Sequence, residues 1–152
     1  MMTDTLTAML ECPFFEQFQP KHLEKLIALG TQVHFEKDEI IFHEEDESHV
    51  FYVILTGRVV LEAHHAGGTF QLETLYPRQE LGWPAVVNRK RQLQARALEP
   101  VMAMAFEVSQ LREACRSNSY FGCAFLEHLL TLGVEQLQTT RLRLLQALNQ
   151  TN

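Results

Sequence analysis

The residues best suited to do chemistry fall in one short basic stretch. Residues 88–96 (NRKRQLQAR) carry Arg89, Lys90, Arg91 and Arg96 and no acid. Clustered guanidinium and ammonium groups can hold an anion, the arginines through a planar fork that fits carboxylate or phosphate. A solvated loop would look the same, and the residues by themselves leave both readings open. The counterpart is acidic. Residues 36–47 (EKDEIIFHEEDE) hold seven acids and one lysine, which carries the whole formal charge of −6, because the other 140 residues balance at 12 acids and 12 bases.

Other candidate chemistry is thin. His64 and His65 are adjacent in a strand-like stretch. Neighbours on a strand point to opposite faces and do not chelate one ion easily. With Glu73 they imitate a metal set but lack His-x-His spacing. His43 and His49 sit among acids, the pattern of a solvated acidic face, and His128 stands alone in the tail. Cys12, Cys115 and Cys123 lack the C-x-x-C spacing of zinc or iron–sulfur sites. An odd, scattered set of three reads as reduced thiols of a cytoplasmic protein. No Gly-x-Ser-x-Gly, P-loop or Cys–His nucleophile pattern is present. Neither a catalytic residue nor a metal or cofactor is expected.

The elements that must position the basic stretch follow from the hydropathy pattern. At 152 residues and 46% hydrophobic composition, the chain fits one domain of ~100–200 residues. Such a chain buries roughly 68–70% of its unfolded surface. No apolar run approaches the ~18 residues of a membrane helix, and the start lacks the pattern of a secretory leader. The net acidity argues against a dedicated nucleic-acid binder. Residues 3–30 read as helical, with Thr3 or Thr5 as a cap. Pro20 opens a second helix whose Leu23, Leu26, Ile27 and Leu29 follow the helical period, and Gly30 closes it. Residues 31–106 hold seven or eight short strands separated by regular turns, the pattern of a β-sandwich or barrel. A short helix starts near Ser109, residues 117–119 (SNS) form a break and cap, and residues 120–148 form one long helix.

That helix would span ~43 Å at ~1.5 Å per residue, more than a barrel of this size covers. Its first half is expected to pack on its own barrel. Leu130, Leu137 and Leu144 are seven apart, and Leu130, Val134, Leu137, Leu144 and Leu148 form a stripe flanked by Glu135, Arg141 and Arg143. The stripe is expected to pair with its copy in a homodimer.

Several segments together carry a family resemblance. Residues 10–15 (LECPFF), 35–42 (FEKDEIIF) and above all 51–59 (FYVILTGRV) are arranged as in the cyclic-nucleotide-binding domain of the catabolite activator protein family, which the chain resembles from about Leu10 to Leu148. Residues 81–85 (LGWPA) and 95–100 (ARALEP) are also similar to small bacterial stand-alone domains of this type. The resemblance implies a mainly β fold with flanking helices. Its centre would be a double-stranded β-helix, or jelly roll, over about residues 31–106, followed by a C-terminal dimerisation helix over about 119–148. It implies a ligand cassette of Gly82, Trp83, Pro84, Ala85, Arg91, Gln92 and Leu93, with Gly82 as the turn glycine, a short helix from Pro84 to about Val87, and Arg91 in the place of the phosphate-binding arginine.

The departures matter as much. Trp83 stands where the family has a ribose-binding Glu, and an indole can only donate. Pro84 has no N–H to offer an anion. Weak or absent binding of cAMP and cGMP is therefore expected. The pocket would take another small anionic or nucleotide-like ligand, against which the Trp83 ring could stack. Alternatively Trp83 fills the pocket, and the acidic face or the helix stripe binds an unknown protein partner. Asp38, Glu45 and Arg78 replace family turn glycines, so those turns are expected to be rebuilt. Only residues 149–152 follow Leu148, so no DNA binding by this chain alone is expected.

Overall fold

The computed structural model describes residues 7, 9–16, 18–47, 49–82 and 91–150. The cap foreseen at Thr3 or Thr5 lies outside them. Contacts divide the chain into two compact units, residues 1–114 and 115–152, which are taken in turn.

Among the described residues of the first unit, 7, 9 and 10 are helical, and the short helices α1 (Pro13–Glu16) and α2 (Pro20–Leu29) follow. Pro20 sits in the first turn of α2, where a missing N–H costs nothing. Leu23 and Leu26 are buried, as their spacing predicts. Gly30 does end the helix, though not through left-handed geometry, since its φ is −85°. Glycine is needed there for space: a Cβ would lie 2.6 Å from Met104 Cε and 2.8 Å from Phe106 Cε1.

Among the described residues eight strands follow: β1 (Gly30–Phe35), β2 (Ile40–Phe42), β3 (Val50–Thr56), β4 (Val59–His65), β5 (Gly68–Leu75), β6 (Glu80–Leu81), β7 (Gln94–Ala97) and β8 (Val101–Glu107). They form two antiparallel four-stranded sheets, ordered β1-β8-β3-β6 and β2-β7-β4-β5. The fold is the expected mainly β jelly roll. Between the sheets the alternate positions Ile54, Val59, Leu75, Leu81, Ala95, Ala97, Val101 and Ala103 make the core, with Phe35, Phe42 and Tyr52 packed against it. The β4–β5 hairpin turns on Ala66 and Gly67, with φ of 51° and 77°, the two positive angles of a type I′ loop that matches strand twist.

The structure corrects one expectation outright. Asp38, Glu45 and Arg78 adopt the left-handed conformation that glycine takes most readily, with φ of 68°, 65° and 78°. A non-glycine residue there carries roughly 1–2 kcal/mol of strain. Main-chain bonds hold each one in place: Asp38 N–H donates to Ala97 O at 2.8 Å, Glu45 N–H to Arg91 O at 2.8 Å and Arg78 N–H to Ile54 O at 2.8 Å. The turns are therefore retained, not rebuilt.

Helix α3 (Val108–Ser117) leads into the second unit, where α4 (Ser119–Gln150) runs unbroken. Asn118 Oδ1 accepts from Phe121 N–H at 3.1 Å and caps α4, as the SNS break foretells. One face of α4 buries Phe121, Phe125 and Leu129. The other leaves Leu126, Leu130, Val134, Leu137, Leu144, Leu145 and Leu148 exposed, Leu130 to 69%.

Candidate functional site

Arg91 is the centre of the arrangement. It precedes β7, and its main chain is tied to the turn after β2 in both directions: Glu45 N–H donates to Arg91 O at 2.8 Å, and Arg91 N–H donates to Asp46 O at 3.2 Å. The turn itself is closed by Asp46 Oδ2, which accepts from His43 N–H at 2.8 Å. The left-handed Glu45 thus presents the amide that fixes Arg91.

The Arg91 side chain runs inward and is only 5% exposed. Its Nη1 donates to Gly82 O at 2.9 Å and its Nη2 to Val50 O at 2.6 Å. The guanidinium carbon lies 4.1 Å from the centroid of the Phe42 ring, a cation–π contact in a desolvated place. Nε is buried and has no hydrogen-bond partner among the described residues. Gly82 is left-handed with φ 86°, and a Cβ on it would strike the Arg91 guanidinium. Only glycine lets its carbonyl meet the arginine so closely. Burial lowers the Arg91 pKa, while Tyr52 and the Asp46 charge oppose the shift. Tyr52 is raised, chiefly by burial, with Arg91 acting against it. Its ring meets Phe35 edge-on at 5.9 Å. The result is a cation held by neutral carbonyls and a ring, with one N–H still to satisfy.

The basic stretch does not act as one cluster. Arg96, counted with it from the sequence, is consumed on the other sheet. Its Nε and Nη2 donate to Glu62 Oε1 and Oε2 at 3.0 and 3.2 Å, and its Nη1 donates to Asp38 Oδ1 at 3.0 Å. Glu62 is buried and also accepts from Gln94 Nε2 at 3.3 Å. The Arg96 bonds hold the Glu62 carboxyl below its ordinary range against the effect of burial. This network ties β4 and β7 to the turn that precedes β2. Sequence reading missed it because the partners are 34 residues apart and meet only through strand register.

Gly82 and Arg91 are brought together. Leu93 is half-buried and Gln92 is exposed. Trp83, Pro84 and Ala85, with Arg89, Lys90 and the short helix to Val87, lie outside the described residues. The burial of Arg91 excludes the solvated-loop reading for that residue. Phe42 and the Val50 carbonyl were not foreseen, since nothing in residue type marks a carbonyl as an acceptor. Much of the acidic segment serves local turns and pairs: Glu39 Oε1 accepts from Glu36 N–H at 3.1 Å, and Glu44 Oε1 accepts from His64 N–H at 2.7 Å. His64 bonds to Thr69 Oγ1 at 3.0 Å. Among the described residues, no group of three or more His, Cys, Asp or Glu is placed to hold a metal. The described helices include none long and apolar enough to cross a membrane. Cys12 is buried, and its thiol is pushed up to about 12 by that burial.

Comparison with known proteins adds the family. The model of the cyclic nucleotide-binding domain matches residues 32–118. No curated protein matches the sequence. Among solved structures, the chain is similar to a putative cyclic nucleotide-binding protein from Geobacter metallireducens GS-15, with TM-score 0.75, 18% identity and coverage of 90% of this chain and 99% of that one. It is similar to the catabolite activator protein of Thermus thermophilus, with TM-score 0.76 and 21% identity, covering 87% of this chain and 61% of that one. The regulatory domain of Toxoplasma gondii PKA, solved with cAMP, matches with TM-score 0.67 and 13% identity over 73% of this chain and 43% of that one. At these identities the structural likenesses establish the fold.

Proposed function

The chain belongs to the cyclic nucleotide-binding domain family, and on that premise we propose that it is a non-catalytic sensor module of the cytoplasm with an altered cassette. It takes a small anionic, nucleotide-like ligand at Arg91 and does not bind cAMP or cGMP tightly. The observation that carries this reading is the Arg91 guanidinium, buried over Phe42 with an unsatisfied Nε–H. A buried cation facing neutral partners gains from an anion more than a solvated one does. The substitutions at Trp83 and Pro84 remove the ribose acceptor and one amide, which favours an anion other than a cyclic nucleotide. Gly82, Trp83, Pro84, Ala85, Gln92 and Leu93 would complete the pocket around Arg91. The module pairs with a second copy through Leu130, Val134, Leu137, Leu144 and Leu148 of α4, all of them exposed.

The test is a thermal-shift screen of nucleotides and phosphorylated metabolites on the whole chain. A binder raises the melting temperature by mass action. A screen in which no anion moves it would refute the ligand reading. A second reading has its own support: the terminal nitrogens of Arg91 are already bonded to the Gly82 and Val50 carbonyls. On that reading Trp83 fills the pocket, and the chain is a ligand-free module for dimerisation or for docking a protein partner.

A further inference from the structure

We propose that Arg91 is a clasp: in the free chain its guanidinium closes the site by bonding the Val50 and Gly82 carbonyls, and an anion binds only by taking Arg91 from them. The inference rests on the reading of Arg91 as the anion residue and adds how that residue is controlled. Two facts require an exchange, as opposed to simple addition of ligand. The side chain is 5% exposed, and the one N–H without an acceptor, on Nε, is itself buried. No anion arriving from solvent reaches that donor while the guanidinium stays where it is. The main chain of Arg91 cannot supply the movement, because its N–H and C=O are both tied to residues 45 and 46. The side chain must therefore swing from a fixed base.

The energetics suit a reversible clasp. Carbonyls are neutral acceptors. Anionic oxygens make charge-assisted bonds about twice as strong as those between neutral groups. In the absence of anion the carbonyls keep the guanidinium, and in its presence the anion wins. The cost is a reduced apparent affinity, set by the fraction of chains with the clasp open. The consequence is structural. Val50 is the first residue of β3, and Gly82 directly follows β6. These strands pair with each other, Tyr52 against Leu81 and Val53 against Glu80. Release of Arg91 therefore frees both carbonyls at one end of this strand pair, and occupancy is felt as a change in the sheet.

Carbon-13 carbonyl NMR on the whole chain tests this, with orthophosphate and adenosine 5′-monophosphate as probes and calorimetry alongside. The Val50 and Gly82 carbonyl resonances are expected to shift together, with one midpoint, toward their positions in Arg91→Met. Probe affinity should fall at least tenfold in Arg91→Met, in which the two shifts disappear. If a probe binds in an Arg91-dependent way and both carbonyls stay still, the clasp is wrong and the anion site stands. If probes bind equally well to Arg91→Met, or neither binds the wild type, the anion reading fails and the clasp with it. Should Arg91→Met fold poorly, Arg91→Lys serves instead. Lysine lacks the planar two-nitrogen fork with which Arg91 meets the two carbonyls, one nitrogen to each, so at least one resonance must differ from wild type before any probe is added, and identical spectra would overturn the clasp.

Discussion

At the scale of single residues, Arg91 and the left-handed positions separate strain from use. Arg91→Met leaves the Gly82 and Val50 carbonyls without their donor while removing a buried charge. An unmet buried acceptor costs about 1–3 kcal/mol. The relief from losing the charge offsets part of this, so a net loss of about 2 kcal/mol in urea unfolding is expected. Glu45 and Asp38 are both left-handed and should respond oppositely to glycine. Glu45 contributes its amide, which glycine retains. Glu45→Gly should stabilise by about 0.5 kcal/mol, as released strain of roughly 1–2 kcal/mol exceeds the added freedom of the unfolded chain, about 0.4–1 kcal/mol. Asp38 also supplies the carboxylate that Arg96 holds at 3.0 Å, so Asp38→Gly should fail to stabilise. Equal gains at the two positions would show that the Asp38–Arg96 bond contributes nothing measurable.

At the scale of elements, one network and one helix face carry predictions. Glu62 joins β4 to β7 through Arg96 and Gln94. Its folded pKa lies below the reference value of 4.5. A carboxyl depressed by folding contributes stability in full above the unfolded value and loses it as pH falls through the folded one. The stability difference between wild type and Glu62→Gln should thus be constant at neutral pH and shrink below about pH 4.5. A difference that grows on acidification would invert the sign and rule out the pairing as its source. On α4, the proposed seam predicts that Leu137→Glu sediments as a monomer under conditions where the wild type is dimeric. Cys123 is exposed and sits seven residues before Leu130, on the same heptad position as Leu137 and Leu144. In a parallel, in-register pair, diamide should link Cys123 to its copy, and Cys123→Ser should abolish the link. An antiparallel or staggered pair would give no such product.

At the scale of the whole molecule, the altered cassette predicts poor cyclic-nucleotide affinity. Hydrogen bonds to charged groups contribute ~1.5–3 kcal/mol each, so loss of the Glu and one amide should weaken cAMP and cGMP by roughly two to four orders of magnitude at ~1.4 kcal/mol per tenfold. Calorimetry giving a low-micromolar constant for either would refute it. The sequence by itself determined the strand and helix order, the buried Leu23 and Leu26 of α2, the cap at Asn118 and the family, because period, turn residues and the 51–59 segment are local and written in residue type. It also marked Gly82 and Arg91. Only the tertiary structure decided that Asp38, Glu45 and Arg78 keep glycine-like turns, since the carbonyls that hold their amides lie on other strands or turns. It likewise separated Arg96 from Arg91 and turned Arg91 inward onto two main-chain carbonyls. Every residue carries a carbonyl, so composition and spacing cannot say which two a guanidinium will meet; strand register and burial choose them.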